Sequence, residues 1–250
     1  MEEEKEKEKE KDIEGFLQNN EKEKEEKIKN PINYYVKFSF TITYILLLTT
    51  GIITFIEAMR TNVPRVRHIL NLETCISIVA GYFYAVFVEK IDEYGKADKP
   101  INWADITKTR YIDWAITTPL MLLVLCLVLG QNSNSVVKLP VYLTIVILNY
   151  IMLYLGYAGE INDVSRFTGM VLGFVAFFVM FFIIYNNFVK PKYSFVNNIL
   201  YGFYLFIWSI YGLVYMLSEQ YKNIAMNILD CTAKCFVGIA LWAYYTKIIV

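Results

Sequence analysis

Beyond its first 30 residues this chain has little charge: 12 acidic and 16 basic side chains in residues 31–250. Soluble domains carry about a quarter of their residues as charges. The shortage is not spread evenly, because the remaining apolar residues come in long runs. A soluble enzyme is thereby excluded, and a membrane protein is expected. No secretory leader is expected either, since residues 1–30 show neither an apolar core nor a small-residue cleavage site. It has only four cysteines. Cys75, Cys126, Cys231 and Cys235 fall inside the apolar runs, with no His/Asp set beside them, so they read as small buried hydrophobes. Neither a disulfide framework nor a metal centre is expected, and neither is a nucleic-acid partner.

The formal net charge of zero hides a joint between two materials. Residues 1–30 hold 12 acidic residues and eight lysines, alternating with almost no apolar interruption. No apolar stripe anchors them, so a solvated and mostly disordered tail is expected. Ile13, Phe16 and Leu17 could make one short interfacial turn. Residues 31–250 form the second material, a membrane domain.

Seven apolar segments follow, at 34–58, 69–89, 104–129, 138–158, 167–188, 196–217 and 223–246. Each meets the requirement of about 20 helical residues for a hydrocarbon core. The expected fold is an all-α membrane protein, a bundle of seven transmembrane helices. The loops are short and leave no room for another domain. Arg60, Arg65, Arg67, Lys138, Lys190, Lys192 and Lys247 fall at one end of these spans without acidic company. Glu89, Asp92, Glu93, Asp98, Glu160, Asp163 and Glu219 fall at the other. Positive charge marks the cytoplasmic side, which places the N-terminus outside and the C-terminus inside.

Five ionisable residues stand within the spans: Glu73, Arg110, Asp113, Asp230 and Lys234. A charge there costs several kcal/mol on insertion scales and is functional by default. Asp230 and Lys234 are four apart on one helix face, and Arg110, Asp113 and Thr117 share another. An ion pair tying two helices is the plainer reading. The sharper one is an amine desolvated into a nucleophile for an aldehyde, with two carboxylates balancing the resulting cation. Trp114, Trp208, Tyr211 and Tyr215 would pack a long polyene, although any aromatic membrane core looks similar.

At this point three motifs carry a resemblance. Arg110-Tyr111-Ile112-Asp113-Trp114 with Thr117-Thr118-Pro119-Leu120, Trp208-Ser209-Ile210-Tyr211, and Leu229-Asp230-Cys231-Thr232-Ala233-Lys234 resemble those of the microbial (type I) rhodopsins. The likeness spans residues 34–246 and is greatest to the rhodopsins encoded by large viruses of algae. It implies all-trans retinal, bound to Lys234 as a protonated Schiff base. It implies Asp113 as proton acceptor and counterion, Asp230 as second counterion, and Arg110 as a gate to the extracellular half. Tyr84, Thr117, Trp114, Trp208 and Tyr211 would surround the chromophore, with Tyr215 at a further position of its pocket. Thr118 and Asn149 would share a bond between helices three and four. Met121 would lie beside the retinal ring and favour green absorption. A trimeric or pentameric homo-oligomer in the lipid bilayer is a further implication.

The chain departs from that pattern at three places. Val124 stands where proton pumps carry a carboxylate donor, Gly212 replaces the usual proline, and Tyr215 a frequent tryptophan. Counting back from Tyr84 by the family pattern places Glu73 near the donor level on helix two. It could reprotonate the Schiff base, or it could be solvated at the membrane edge. Release need not use paired glutamates, since Glu219 shows no clear partner in the sequence. The expected activity is a light-driven outward proton pump, a photochemical device and not an enzyme. The alternatives are a light-gated cation channel, with Asn223 and Asn227 polarising a pore, and a photosensor.

Overall fold

Helix starts in this chain are set by residues that meet the orphan amides of a first turn. The computed structural model describes residues 31–96 and 99–248. Pro31 opens α1 (Pro31–Arg60), and Pro64 opens α2 (Pro64–Lys96). Asn102 caps α3 (Trp103–Ser133), its Oδ1 accepting from the Asp105 amide. Pro140 lies in the first turn of α4 (Leu139–Glu160), where its missing N–H costs nothing. Ser165 caps α5 (Arg166–Val189) and Ser194 caps α6 (Phe195–Val214), each accepting from an amide three residues on. The last helix, α7 (Glu219–Tyr245), contains a π-helical turn at Cys231–Phe236.

Six of these helices are long and apolar enough to cross a membrane. The remaining one, α6, is diluted by Asn197, Asn198 and several tyrosines. The all-helical membrane fold expected from the apolar runs is the one observed. Most helices extend beyond the expected segments, because a helix continues past the hydrocarbon edge until a cap stops it. The tail, together with Asp98 of the charge pattern, lies outside the described residues.

Packing is inside-out in polarity. Ile45, Ile52, Phe55, Phe178, Phe182 and Phe206 point outward, as apolar lipid tails permit. Arg110, Asp113, Asp230 and Lys234 point inward. Cys75 corrects one expectation: its side chain faces outward, whereas Cys126, Cys231 and Cys235 are buried. Successive helices pair as α1 with α2, α2 with α3, and α4 with α5, while α7 closes the ring against α1, α2 and α6. The α4–α5 approach depends on Gly169, where a Cβ would come within 2.7 Å of the Leu155 carbonyl oxygen. These contacts place α3 and α7 opposite one another across the interior, with their charged residues at one level.

Candidate functional site

The site grows from Lys234. Its residue belongs to the π turn of α7, a local widening that often marks functional positions. The ammonium is buried and donates to Asp113 Oδ2 at 3.0 Å and Asp230 Oδ2 at 3.3 Å. Asp113 comes from α3 and Asp230 from one turn earlier on α7. Spacing along each helix brings these residues to a face; only the packing of α3 on the far side of the ring joins them.

Asp230 is fully engaged. Tyr84 donates to its Oδ2 at 2.8 Å and Tyr211 to its Oδ1 at 2.6 Å. Asp113 is not: its Oδ1 is buried without a hydrogen-bond partner. The Thr117 hydroxyl lies close by in sequence but donates to the Asp113 backbone carbonyl at 2.9 Å. Asp113 thus keeps a free acceptor beside the amine.

Arg110 completes a neutral quartet of two cations and two carboxylates. Its Nη1 lies 3.7 Å from Asp230 Oδ2 and donates to Tyr84 Oη at 3.2 Å. Its Nη2 donates to Asn227 Oδ1 at 2.8 Å and Asn223 Oδ1 at 3.0 Å. Phe40, Phe87, Tyr84 and Trp114 present ring faces to the guanidinium at 5.2–5.9 Å, within the range of cation–π attraction. Buried charges persist only when paired and bonded in this way. The amides of Asn223 and Asn227 are therefore held by Arg110, and Asn227 also donates to Ser39 Oγ at 2.8 Å.

An apolar cavity leads away from Lys234 and Asp230. Trp114, Trp208, Tyr211, Met121 and Phe177 line it. Thr118 and Tyr215 reach its wall as well. Tyr84 and Thr117 do not line it; they serve the carboxylates and the α3 backbone. The Thr118 hydroxyl accepts from Asn149 Nδ2 at 2.8 Å, which joins α3 to α4 at the expected position. Tyr215 donates to the Gly156 carbonyl at 2.9 Å, so its phenol fastens α6 to α4 at the cavity end. Where Gly212 stands, the Phe174 ring lies directly against the backbone. A buried amine at the end of a long aromatic-lined cavity suits an elongated apolar aldehyde. The orphaned Asp113 Oδ1 suits a proton or water near the linkage. Retinal fits this donor set.

Glu73 is not part of the quartet. It is 2% exposed, which removes the reading of a solvated group at the membrane edge. It lies near Thr50 and Gly238 on the far side of Lys234 from Arg110. Val124, at the level of the missing donor, is wholly enclosed in the apolar core.

Glu219 requires a correction. Its Oε1 accepts from Arg166 at 2.6 Å and Lys222 at 2.9 Å. Glu160 takes the same two cations, at 3.0 and 2.9 Å. The two glutamates are joined through cations, a clasp over the bundle end beyond Arg110. Glu160, Arg166 and Lys222 lie on three different helix ends, so sequence spacing had no means of relating them. The one available signal was the crowding of charge into otherwise apolar helix termini.

The model of a family described as Bacteriorhodopsin-like protein matches residues 35–248. The green-light absorbing proteorhodopsin of Gamma-proteobacterium EBAC31A08 is 23% identical over 228 residues, covering 85% of this chain and 87% of that protein. The bacteriorhodopsin of Halobacterium salinarum is 24% identical over 200 residues, covering 74% and 69%. Among solved structures, that of the viral rhodopsin OLPVRII is 43% identical with a TM-score of 0.79, covering 86% of this chain and 99% of that one. The motifs around Arg110, Asp113 and Lys234, their meeting in space and the extent of these matches lead to one assignment: the chain belongs to the bacteriorhodopsin-like family of retinal-binding microbial rhodopsins.

Proposed function

We propose that this protein is a light-driven outward proton pump, with its N-terminus on the extracellular side. The observation that carries this reading is the position of Lys234 Nζ, shared by Asp113 and Asp230 at the end of the cavity. Retinal held as a Schiff base on Lys234 would supply light absorption and the change of shape that displaces the Nζ proton. Asp113 accepts that proton, because its Oδ2 is 3.0 Å away and its Oδ1 has no competing donor. Asp230 remains a fixed anion, since Tyr84 and Tyr211 already stabilise its charge. Arg110 sits between this pair and the Glu160–Glu219 clasp, so its movement would open the outward route. Glu73 returns a proton to Nζ from the opposite side. Its burial supports that role, as does the apolar Val124 at the alternative position.

A light-driven ion pump, xanthorhodopsin, and a proton-pumping rhodopsin of Acetabularia acetabulum are among the structural relatives, which supports the same activity here. A light-gated cation channel would draw on Asn223 and Asn227. Both amides are bound to Arg110, which favours a closed, proton-selective route.

The test is a photocurrent recording over a voltage series after reconstitution with retinal. Outward current at zero gradient is expected; a current that vanishes there and reverses at an ion's equilibrium potential would replace the pump with a channel. Lys234→Ala should abolish visible absorption, and colour retained in that variant would overturn the retinal linkage.

A further inference from the structure

A proline inside a helix leaves one carbonyl without its ladder partner and pushes that carbonyl aside. Pro119 stands inside α3. The carbonyl four residues earlier, on Ala115, therefore receives no N–H from its own helix. In hydrocarbon no water is at hand to meet it. Tyr150 of α4 meets it instead: its hydroxyl donates to the Ala115 carbonyl oxygen at 3.1 Å. The side chain is otherwise exposed on the outer surface of the bundle. A phenol there would have nothing to bond to if Pro119 had not freed an acceptor.

This break divides α3 within the site. Arg110 and Asp113 lie before it, and Met121, which lines the cavity, lies after it. Two further bonds from α4 hold the later part. Tyr142 Oη donates to the Pro119 carbonyl at 3.0 Å, and Asn149 Nδ2 donates to Thr118 Oγ1 at 2.8 Å. Tyr150 grips the earlier part, two residues after Asp113. The angle between the two parts is thus clamped from outside the helix. Asp113 Oδ2 is 3.0 Å from Lys234 Nζ across the bundle. A hydrogen bond of that length weakens within a few tenths of an ångström, so a small change of bend reaches the amine.

We propose that Tyr150 is a positioning residue of the retinal site: by binding the carbonyl that Pro119 frees, it sets the bend of α3 and with it the separation of Asp113 from Lys234 Nζ. It touches neither the chromophore cavity nor the reacting atoms. Its hydroxyl replaces, from a neighbouring helix, the N–H that proline lacks. The bend is then a property of the α3–α4 seam and not of α3 alone. Without the hydroxyl the Ala115 carbonyl is unmet, α3 relaxes at the break, and Asp113 withdraws from Nζ. The consequence for colour requires only the retinal linkage, whereas the consequence for proton transfer rests on the pump reading.

Tyr150→Phe keeps the ring and removes the bond. Ala115–Ile116 is the one Ala–Ile pair in the chain. Heavy carbon at alanine carbonyls and heavy nitrogen at isoleucine amides therefore give it a single signal in solid-state magnetic resonance of the protein in lipid. That carbonyl signal should move upfield in Tyr150→Phe, with or without retinal. In retinal-loaded Tyr150→Phe, the absorption maximum should move to longer wavelength. Transfer of the Nζ proton after a flash should slow about threefold, equivalent to ~0.65 kcal/mol of barrier. Pro119→Ala supplies the missing N–H, so adding Tyr150→Phe to it should change neither colour nor rate, a coupling that a double-mutant cycle reads directly. A merely structural loosening would act equally in both backgrounds. Equal shifts in the two backgrounds, an unmoved carbonyl signal, or an unmoved absorption maximum beside a moved carbonyl signal would overturn the assignment. A pigment that shows the coupled colour shifts but passes no proton to Asp113 would refute the pump reading and leave the role of Tyr150 standing.

Discussion

Asp113 and Asp230 both reach Lys234 Nζ with an Oδ2, yet only Asp113 has a second oxygen left without a partner. In the proposed pump this difference separates two carboxylates of like chemistry into a fixed charge and a proton acceptor. Asp113→Asn should abolish outward photocurrent and leave the fold intact. It should also move absorption to longer wavelength, because a negative charge beside the linkage stabilises the ground-state cation there. A retained outward current would show that another group accepts the proton.

Asp230→Asn should act on stability as well. Tyr84, Tyr211 and Arg110 all turn toward that carboxylate. Breaking one partner of a buried ionic cluster costs about 3–5 kcal/mol. Thermal unfolding in lipid should therefore show a lower midpoint than for Asp113→Asn. Equal midpoints would mean that the phenols do not depend on Asp230.

Glu73→Gln removes the proton that the inner side of Lys234 is expected to receive. Reprotonation after a flash should slow and become more responsive to added weak acid, which substitutes for the missing carboxyl. Flash spectroscopy at several weak-acid concentrations provides the check. Decay kinetics unchanged from wild type would remove Glu73 as donor.

Lys222→Met leaves the buried Glu160 carboxylate with Arg166 alone. Loss of a partner should destabilise by about 3 kcal/mol, whereas Lys222→Met with Glu160→Gln should cost clearly less, since no unpaired charge remains. A double-mutant cycle on unfolding midpoints measures that difference. Additive effects would show that the clasp is too solvated to matter.

Gly212→Ala would drive a Cβ into the Phe174 ring. Overpacking of this kind costs about 1–3 kcal/mol. It should slow the uptake of retinal and shift the absorption maximum. Adding Phe174→Leu should relieve both effects. An unshifted spectrum in Gly212→Ala would show that the Phe174 ring yields without altering the cavity.

The quartet was legible before folding because charges inside apolar runs are rare and costly. Arg110, Asp113, Asp230 and Lys234 therefore announced themselves, and their helical spacings showed which could share a face. The Thr118–Asn149 bond was legible only through the family pattern. The Glu160–Glu219 clasp was missed because its members sit at the ends of separate helices. Cys75 was misplaced because membership of a span does not tell which face of a helix meets lipid.

The shortage of charge beyond residue 30, together with apolar runs about 20 residues long, was sufficient to determine a helical membrane bundle, since runs of that length in hydrocarbon satisfy their backbone groups within their own segment. It also singled out the few residues whose burial demands partners. Which partners they take was decided by the tertiary structure alone. A hydrogen bond depends on tenths of an ångström between helices distant in sequence. Only the packed ring of α1, α2, α3, α6 and α7 leaves Asp113 with an open oxygen and closes Asp230.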